Sequence, residues 1–266
     1  TNNHGSIAIG SYAGRSMSNT KGYSVIIGSY SSGNSFDSEK SVAIGQNAAS
    51  TCTGDYNVVI GASAGLNLTG GVGNVFVGQD AGYNAYNGNR NIAIGQDAYH
   101  NGWASDNIAI GKDALGGTVN GGEQNLAIGN YSGEAITSGD NNIVIGYDAG
   151  DSITTGSDNL VIGGAAVADG TADSQLVISD GDGGVTWFKG DANGLVAHKI
   201  SVVAVTGAHT LTDAESGSYV YCTSSGAPTL PATAEVGQQY TIINNTGSDL
   251  TPGLGASNSS IPSSHT

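Results

Sequence analysis

The segment that decides the fold is Asn91-Ile-Ala-Ile-Gly95, which returns sixteen residues later as Asn107-Ile-Ala-Ile-Gly111. The same pattern of Ser or Asn, an aliphatic residue, an apolar residue, an aliphatic residue and Gly occurs ten times between residues 6 and 163, at intervals of 16 to 18 residues. A degenerate eleventh copy is Gln175-Leu-Val-Ile-Ser179. A unit of this length cannot bury a core alone, so the repeats predict a stack of coils, each contributing one short strand. With strands about 4.8 Å apart, nine intervals predict a rod of about 43 Å.

A glycine closes each of the ten regular copies of the strand. At that point the chain must turn sharply or another backbone must come close, and both conditions exclude a Cβ. A small residue, Ala or Ser, follows three positions later and indicates a second tight corner. The structural glycines are Gly10, Gly28, Gly45, Gly61, Gly78, Gly95, Gly111, Gly129, Gly146 and Gly163.

Asparagine occupies the strand entry in seven consecutive units. Stacked at one position of successive coils, these side chains are expected to form a hydrogen-bonded ladder that stabilises a turn, in preference to a row that binds a ligand. The seven residues are Asn57, Asn74, Asn91, Asn107, Asn125, Asn142 and Asn159.

Both faces of each strand are apolar. The residues three before and one before the glycine share one face and are Ile, Val or Leu in all ten copies, while the residue between them points the other way and is also apolar. A strand with one wet face would carry polar residues there, so we expect one face inside the coil and the other against sister chains. The sequence-based interpretation assigns the intermolecular face to the middle residues Ala43, Phe76, Ala93, Ala109, Ala127, Val144 and Val161.

Composition narrows the possible functions. With 22 acidic and 7 basic residues the formal charge is −15, which disfavours nucleic acid and anionic membranes as partners. Neither a membrane-spanning apolar run, a metal-ligand spacing, a nucleophile elbow nor a phosphate loop appears in the sequence, so we expect no enzyme, no cofactor, no metal site and no catalytic residues. Cys52 and Cys222 stand far apart and form no disulfide framework, which fits assembly in a reducing cytoplasm.

Two groups of side chains are candidates for contacts with other molecules. Exposed aromatic rings are common platforms for sugars, and Tyr83, Tyr86, Tyr99 and Trp103 stand in two consecutive units as candidates for glycan contact. Acidic residues recur two positions after the strand glycine, at Asp80, Asp97, Asp113 and Asp148. Such a row could hold Ca²⁺ or, in pairs, hydrolyse a glycan, but a solvated edge that opposes aggregation is the preferred interpretation.

The strand pattern resembles the head repeats of trimeric autotransporter adhesins, and it is similar to longer repeats in the tail fibres of tailed phages. The resemblance covers residues 6–179 and implies a homotrimeric β-roll. The segment 180–191, with Trp187 and Phe188, is similar to the exit of phage fibre solenoids and is expected to cap the last coil. Residues 201–266, with predicted strands from Tyr219 to Cys222 and from Gln239 to Ile243, resemble a small β module of phage tail proteins that stops early, as in a fragment of a longer chain.

The sequence therefore predicts an all-β chain: a solenoid of about 17-residue turns over 1–179, a capping connector over 180–200 and a C-terminal β module over 201–266. The resemblance implies a phage tail fibre in the virion, assembled in the host cytoplasm, with other tail fibre or baseplate proteins and a host glycan or protein receptor as partners. A bacterial surface adhesin or an extracellular filament subunit remains an alternative, and a polysaccharide-degrading tailspike is less favoured because uniform turns leave no inserted groove. An ice-binding surface is disfavoured because no position carries Thr turn after turn.

Overall fold

In the computed structural model, residues 5–17, 22–34 and 37–191 are described in full, and four further segments are described as backbone strands only. Every regular element among these residues is a strand. The first eleven are β1 Ile7–Ile9, β2 Val25–Ile27, β3 Val42–Ile44, β4 Val58–Ile60, β5 Val75–Val77, β6 Ile92–Ile94, β7 Ile108–Ile110, β8 Leu126–Ile128, β9 Ile143–Ile145, β10 Leu160–Ile162 and β11 Leu176–Ser179. The remaining five are β12 Thr186–Gly190, β13 Val196–His198, β14 Val202–Val205, β15 Tyr219–Cys222 and β16 Thr241–Asn244.

The repeat builds a β-solenoid, as the sequence predicted. Strands β1 to β11 pair in parallel in chain order, and each pairs in register with its equivalent in the next turn, for example Ile108 with Leu126 and Ile110 with Ile128. The corners stack as well, since the N–H of Gly95 donates to the carbonyl of Val77 at 2.9 Å and the N–H of Asp97 donates to that of Gln79 at 3.0 Å. Each turn therefore satisfies its backbone groups on the turn beside it, which is why one coil alone could not be stable.

The core of the solenoid is narrow and lies inside the coil. It contains the middle residues of β2 to β11, most of the Ala or Ser residues three positions after the strand glycines, and an aliphatic side chain of the far corner such as Leu68, Ile136 or Ile153, all of them buried. Where the middle residue is larger, glycines make room for it. A Cβ on Gly82 would lie 2.5 Å from the ring of Phe76, so Phe76 fills the space that this glycine leaves.

This core corrects the predicted intermolecular face. The seven middle residues assigned to an interface have no exposed surface in the single chain, because their side chains point into the coil. They are Ala43, Phe76, Ala93, Ala109, Ala127, Val144 and Val161. Alternation along the strand puts the first and third residues outside, so the exposed apolar face is the opposite one.

The strand glycines hold a backbone conformation that other residues do not adopt. All ten have φ between 101° and 143°. Successive glycines also lie against each other, so that a Cβ on Gly111 would overlap the carbonyl oxygen of Gly129. Both conditions that the sequence suggested for these positions, a sharp turn and a close backbone, therefore apply at the same residue.

The last coil is covered by strand pairing. Strand β12 pairs antiparallel with β11, and β13 pairs antiparallel with β12. The side chains of Trp187 and Phe188, which were expected to shield the end of the solenoid, remain 51% and 41% exposed. The open edge of β11 is thus covered mainly by the backbone of β12.

The chain divides into two compact units, Thr1–His198 and Lys199–Thr266. In the second unit β14, β15 and β16 form a parallel three-stranded sheet. Strand β15 coincides with the predicted strand from Tyr219 to Cys222, and β16 overlaps the one predicted from Gln239 to Ile243. Most of residues 199–266 lie outside the described residues, so the β module itself stays a prediction.

Candidate functional site

The most extensive candidate surface is an exposed aliphatic face on the outside of the parallel sheet. It is formed by the first and third residues of β1 to β11, which we call the aliphatic strip: Ile7, Ile9, Val25, Ile27, Val42, Ile44, Val58, Ile60, Val75, Val77, Ile92, Ile94, Ile108, Ile110, Leu126, Ile128, Ile143, Ile145, Leu160, Ile162, Leu176 and Ile178. Every member is half-buried or exposed, and Ile143, for example, is 39% exposed. All of these side chains therefore keep solvent-exposed surface in the described single chain.

Polar and aromatic residues border the strip on both sides. On the entry side lie Tyr23, Lys40, Tyr56, Arg90 and Asp106, each five positions before a strand glycine and each with positive φ. On the exit side lie Tyr12, Tyr30, Tyr131 and Tyr147, within two positions after the glycine. An apolar centre with an aromatic and polar rim is the composition of protein–protein interfaces.

Rim side chains from neighbouring turns pair with each other. Arg90 donates from Nε and Nη2 to the two carboxylate oxygens of Asp106, both at 2.6 Å. The Arg90 guanidinium holds the pKa of the Asp106 carboxyl below its ordinary value. The rings of Tyr12 and Tyr30 stack at 4.8 Å between centroids. Such exposed pairs contribute little stability, but they keep the rim ordered from turn to turn.

The side chains of the acidic row take part in local hydrogen bonds. Asp80, Asp97, Asp113 and Asp148 have φ of 54° to 57° and are only partly exposed. Gln79 donates to Asp80 at 2.9 Å, and Gln96 donates to Asp97 at 3.0 Å. Within the described residues no three His, Cys, Asp or Glu side chains are placed to hold a metal ion. The row has the local hydrogen bonding of a solvated edge.

The aromatic group divides into two partly exposed pairs and one buried ring. Tyr83 stacks on His100 with 5.0 Å between ring centroids, and Tyr86 meets the edge of Trp103 at 5.2 Å. Trp103 is 53% exposed. Three of the four predicted aromatic residues therefore make ring contacts between neighbouring turns, and His100, which the sequence did not single out, is the partner of Tyr83.

Tyr99 is a correction to the predicted glycan group, because its side chain is fully buried. Its hydroxyl donates to the carbonyl of Ala104 at 2.7 Å and accepts from Nδ2 of Asn107 at 3.2 Å. Burial raises the pKa of the Tyr99 hydroxyl far above its ordinary value. The ring fits inside because Gly102 has no Cβ to collide with it. The glycine three residues after Tyr99 was therefore the feature of the sequence that could have predicted its burial.

The stacked asparagines form the predicted ladder. The Oδ1 atom of Asn74 accepts the backbone N–H of Asn91 at 2.8 Å, and that of Asn91 accepts the N–H of Asn107 at 2.9 Å. The Nδ2 of Asn74 donates to the carbonyl of Gly88 at 2.9 Å. All seven side chains are buried, so they serve the corner of the coil and are not accessible to a ligand.

Cys52 is buried in the same corner, where burial raises the pKa of its thiol from about 9.0 to about 11. In a Cys222→Ser background, we expect Cys52 to react with iodoacetamide much more slowly in the folded chain than in urea, because the thiolate is the reactive form. Mass spectrometry measures the labelling rates, and equal rates for the folded chain and the chain in urea would contradict this prediction.

The folded state also holds the thiol proton to higher pH, so the free energy of unfolding should fall between pH 9 and pH 11.

Comparison with known proteins finds no matching family model, no similar curated protein and no similar solved structure. Among the described residues, no helix is long and apolar enough to cross a bilayer. The surfaces of the chain itself are therefore the basis for inferring its function.

Proposed function

We propose that this chain is a non-enzymatic structural and adhesive segment of an extracellular fibre, and that it works as a homotrimer joined through the aliphatic strip. The tail fibre of a phage, assembled in the host cytoplasm, is the setting that the resemblance of the repeats favours. A bacterial surface adhesin or filament subunit would use the same rod. The observation that carries the proposal is the continuous column of half-buried and exposed aliphatic side chains along a regular solenoid.

The size of the strip supports an intermolecular role. Ten intervals of about 4.8 Å and a strand width of about 10 Å give an apolar face of about 500 Å². A contiguous apolar patch of that size is as large as the largest patch on a typical monomer, and such patches are often functional. Together with its rims the face approaches the roughly 800 Å² that each partner buries in a standard protein–protein interface.

The regularity of the strip favours a second copy of this chain as its partner. Every turn adds the same rise and presents the same pair of aliphatic side chains. Parallel copies around a common axis would therefore meet layer by layer, each aliphatic pair against its equivalents. Closed cyclic symmetry of this kind is the usual arrangement of homo-oligomers, and the resemblance to trimeric heads favours three copies.

In the proposed fibre, the solenoid is a rigid spacer that presents a receptor-binding tip. The solenoid supplies reach and stiffness, because its backbone hydrogen bonds run along the rod from turn to turn. The expected partners are other tail fibre or baseplate proteins at the ends and a glycan or protein receptor on the host cell. With a formal charge of −15, we expect neither nucleic acid as a partner nor insertion into a membrane.

The test is the mass in solution, measured by light scattering. A trimer has three times the 26.4 kDa of one chain. The triple variant Ile94→Asp, Ile110→Asp and Ile128→Asp places charges on the strip and is expected to give monomers that retain the β circular dichroism signal, since these side chains point out of the core.

A matched control adds the same three charges elsewhere. Thr118, Ser138 and Thr155 are exposed on loops of the same region, and their change to Asp should leave the mass unchanged. A wild-type monomer, or a strip variant that keeps the oligomeric mass, would overturn the proposed assembly.

A further inference from the structure

We propose that the loop face of the solenoid, formed by residues five to eight positions after the strand glycines, binds a neutral saccharide chain between Tyr83 and Asp151. The inference deepens the adhesive part of the proposed function and rests on it. Two features of this face, an aromatic platform and an adjoining open cavity, carry the inference.

The platform is built by the two aromatic pairs of consecutive turns. Tyr83 and His100 are both five positions after a strand glycine, and Tyr86 and Trp103 are both eight positions after one. Neighbouring turns lie about 4.8 Å apart, so the four rings form two columns. Trp103 is exposed and the other three rings are half-buried, so the platform offers apolar ring surface and polar edges together, which suits the C–H faces and hydroxyls of a sugar.

A row of amides runs between the two ring columns. Asn67 donates to Asn84 at 2.7 Å, and Asn84 donates to Asn101 at 2.8 Å. Asn101 ends the row, and within the described part of the chain its Nδ2 has no acceptor. When a sugar ring stacks on Trp103, one of its hydroxyl oxygens could accept a hydrogen bond from Nδ2 of Asn101.

The next turns on the same face form an open cavity of about 310 Å³, lined by Gly117, Glu134, Ala135 and Asp151. Glu134 and Asp151 occupy the position, five after the strand glycine, that Tyr83 and His100 occupy in earlier turns. Gly117 and Ala135 are small and leave the space between the side chains open. Platform and cavity are therefore successive parts of one face.

The charge of this face selects the class of saccharide. The two carboxylates accept hydrogen bonds from hydroxyl groups but repel other carboxylates. The chain as a whole carries −15, which strengthens that repulsion. The ligand class is therefore a neutral oligosaccharide, and acidic glycans are disfavoured. We expect a shallow open site to bind a neutral oligosaccharide with a Kd of about 1 mM. Several copies of the site on one fibre would raise the avidity.

Tryptophan fluorescence provides the measurement. The chain has two tryptophans, Trp103 and Trp187, so the Trp187→Phe variant reports on Trp103 alone. Maltohexaose, cellohexaose, laminarihexaose and the fully N-acetylated chitohexaose are titrated into it, and a hyaluronan oligosaccharide serves as the acidic probe. We expect at least one neutral chain to shift or quench the emission at millimolar concentration, and hyaluronan to leave it unchanged.

Variants separate this site from the rest of the rod. In calorimetric titrations, Tyr83→Ala and Trp103→Ala should each weaken binding of the neutral chain about tenfold or more, while Tyr56→Ala, an exposed aromatic outside the loop face, should not change it. Equal binding to Trp103→Ala, or no response to any neutral chain, overturns the inference. If no saccharide binds but the chain is a trimer, only the saccharide site is contradicted. If the chain is a monomer that binds the saccharide, only the proposed assembly is contradicted.

Discussion

Replacing Gly111 with alanine is expected to lower the free energy of unfolding by at least about 3 kcal/mol. Gly111 has φ of +135°, a region that L-residues with a Cβ rarely adopt. The added carbon would also overlap the carbonyl oxygen of Gly129 in the next turn. Relief requires that the two turns separate, and this would break the parallel hydrogen bonds on both sides of the glycine. Urea unfolding followed by circular dichroism measures the loss.

Two other glycines separate the causes of that loss. Gly121 has φ of +112° but open space around its Cβ, so Gly121→Ala introduces backbone strain without a collision. Gly181 also has open space and does not need positive φ, so Gly181→Ala should be nearly neutral. The expected order of destabilisation is Gly111, then Gly121, then Gly181. Equal effects at Gly111 and Gly121 would mean that contact between successive turns contributes nothing.

The repeat made the fold predictable from the sequence. Each aliphatic segment before a strand glycine became a three-residue strand, and Asn74 and Asn91 took the buried ladder positions that their spacing indicated. Ten copies in register provide the information that an alignment of relatives would otherwise supply. Deviations from the repeat were harder to predict, because they depend on which glycine of the same turn leaves space, as Gly82 does for Phe76.

The orientation of the strand was the main error, and its cause is physical. Alternation shows that Ile108 and Ile110 share a face and that Ala109 lies on the other, but with both faces apolar it does not say which face is inside. In the structure Ala109 is fully buried inside the coil, whereas Ile108 and Ile110 keep exposed surface on the outside. Tyr99 was misassigned for a related reason, since only Gly102 in the same turn reveals the space that its ring fills.

The neighbouring residues Ala109 and Ile110 offer the sharpest test of this orientation. Ala109 is fully buried, between Ala93 and Ala127 of the adjacent strands. In Ala109→Asp the carboxylate would enter the core with neither water nor a cation beside it. We expect a loss of about 4 kcal/mol or more in the free energy of unfolding. Thermal and urea unfolding should show the loss at every protein concentration.

Ile110→Asp is the matched variant one residue later, with the same new charge on the opposite face. Its side chain points out of the coil, so the fold should persist and the effect should appear in assembly. If the strip joins copies, the melting temperature of wild type rises with protein concentration, because association stabilises the folded state by mass action. The variant should lose that dependence and keep its secondary structure. If Ile110→Asp unfolds the chain as Ala109→Asp does, or if Ala109→Asp is tolerated, the assignment of inner and outer faces is wrong. The aliphatic strip would then no longer be the surface through which a fibre is built.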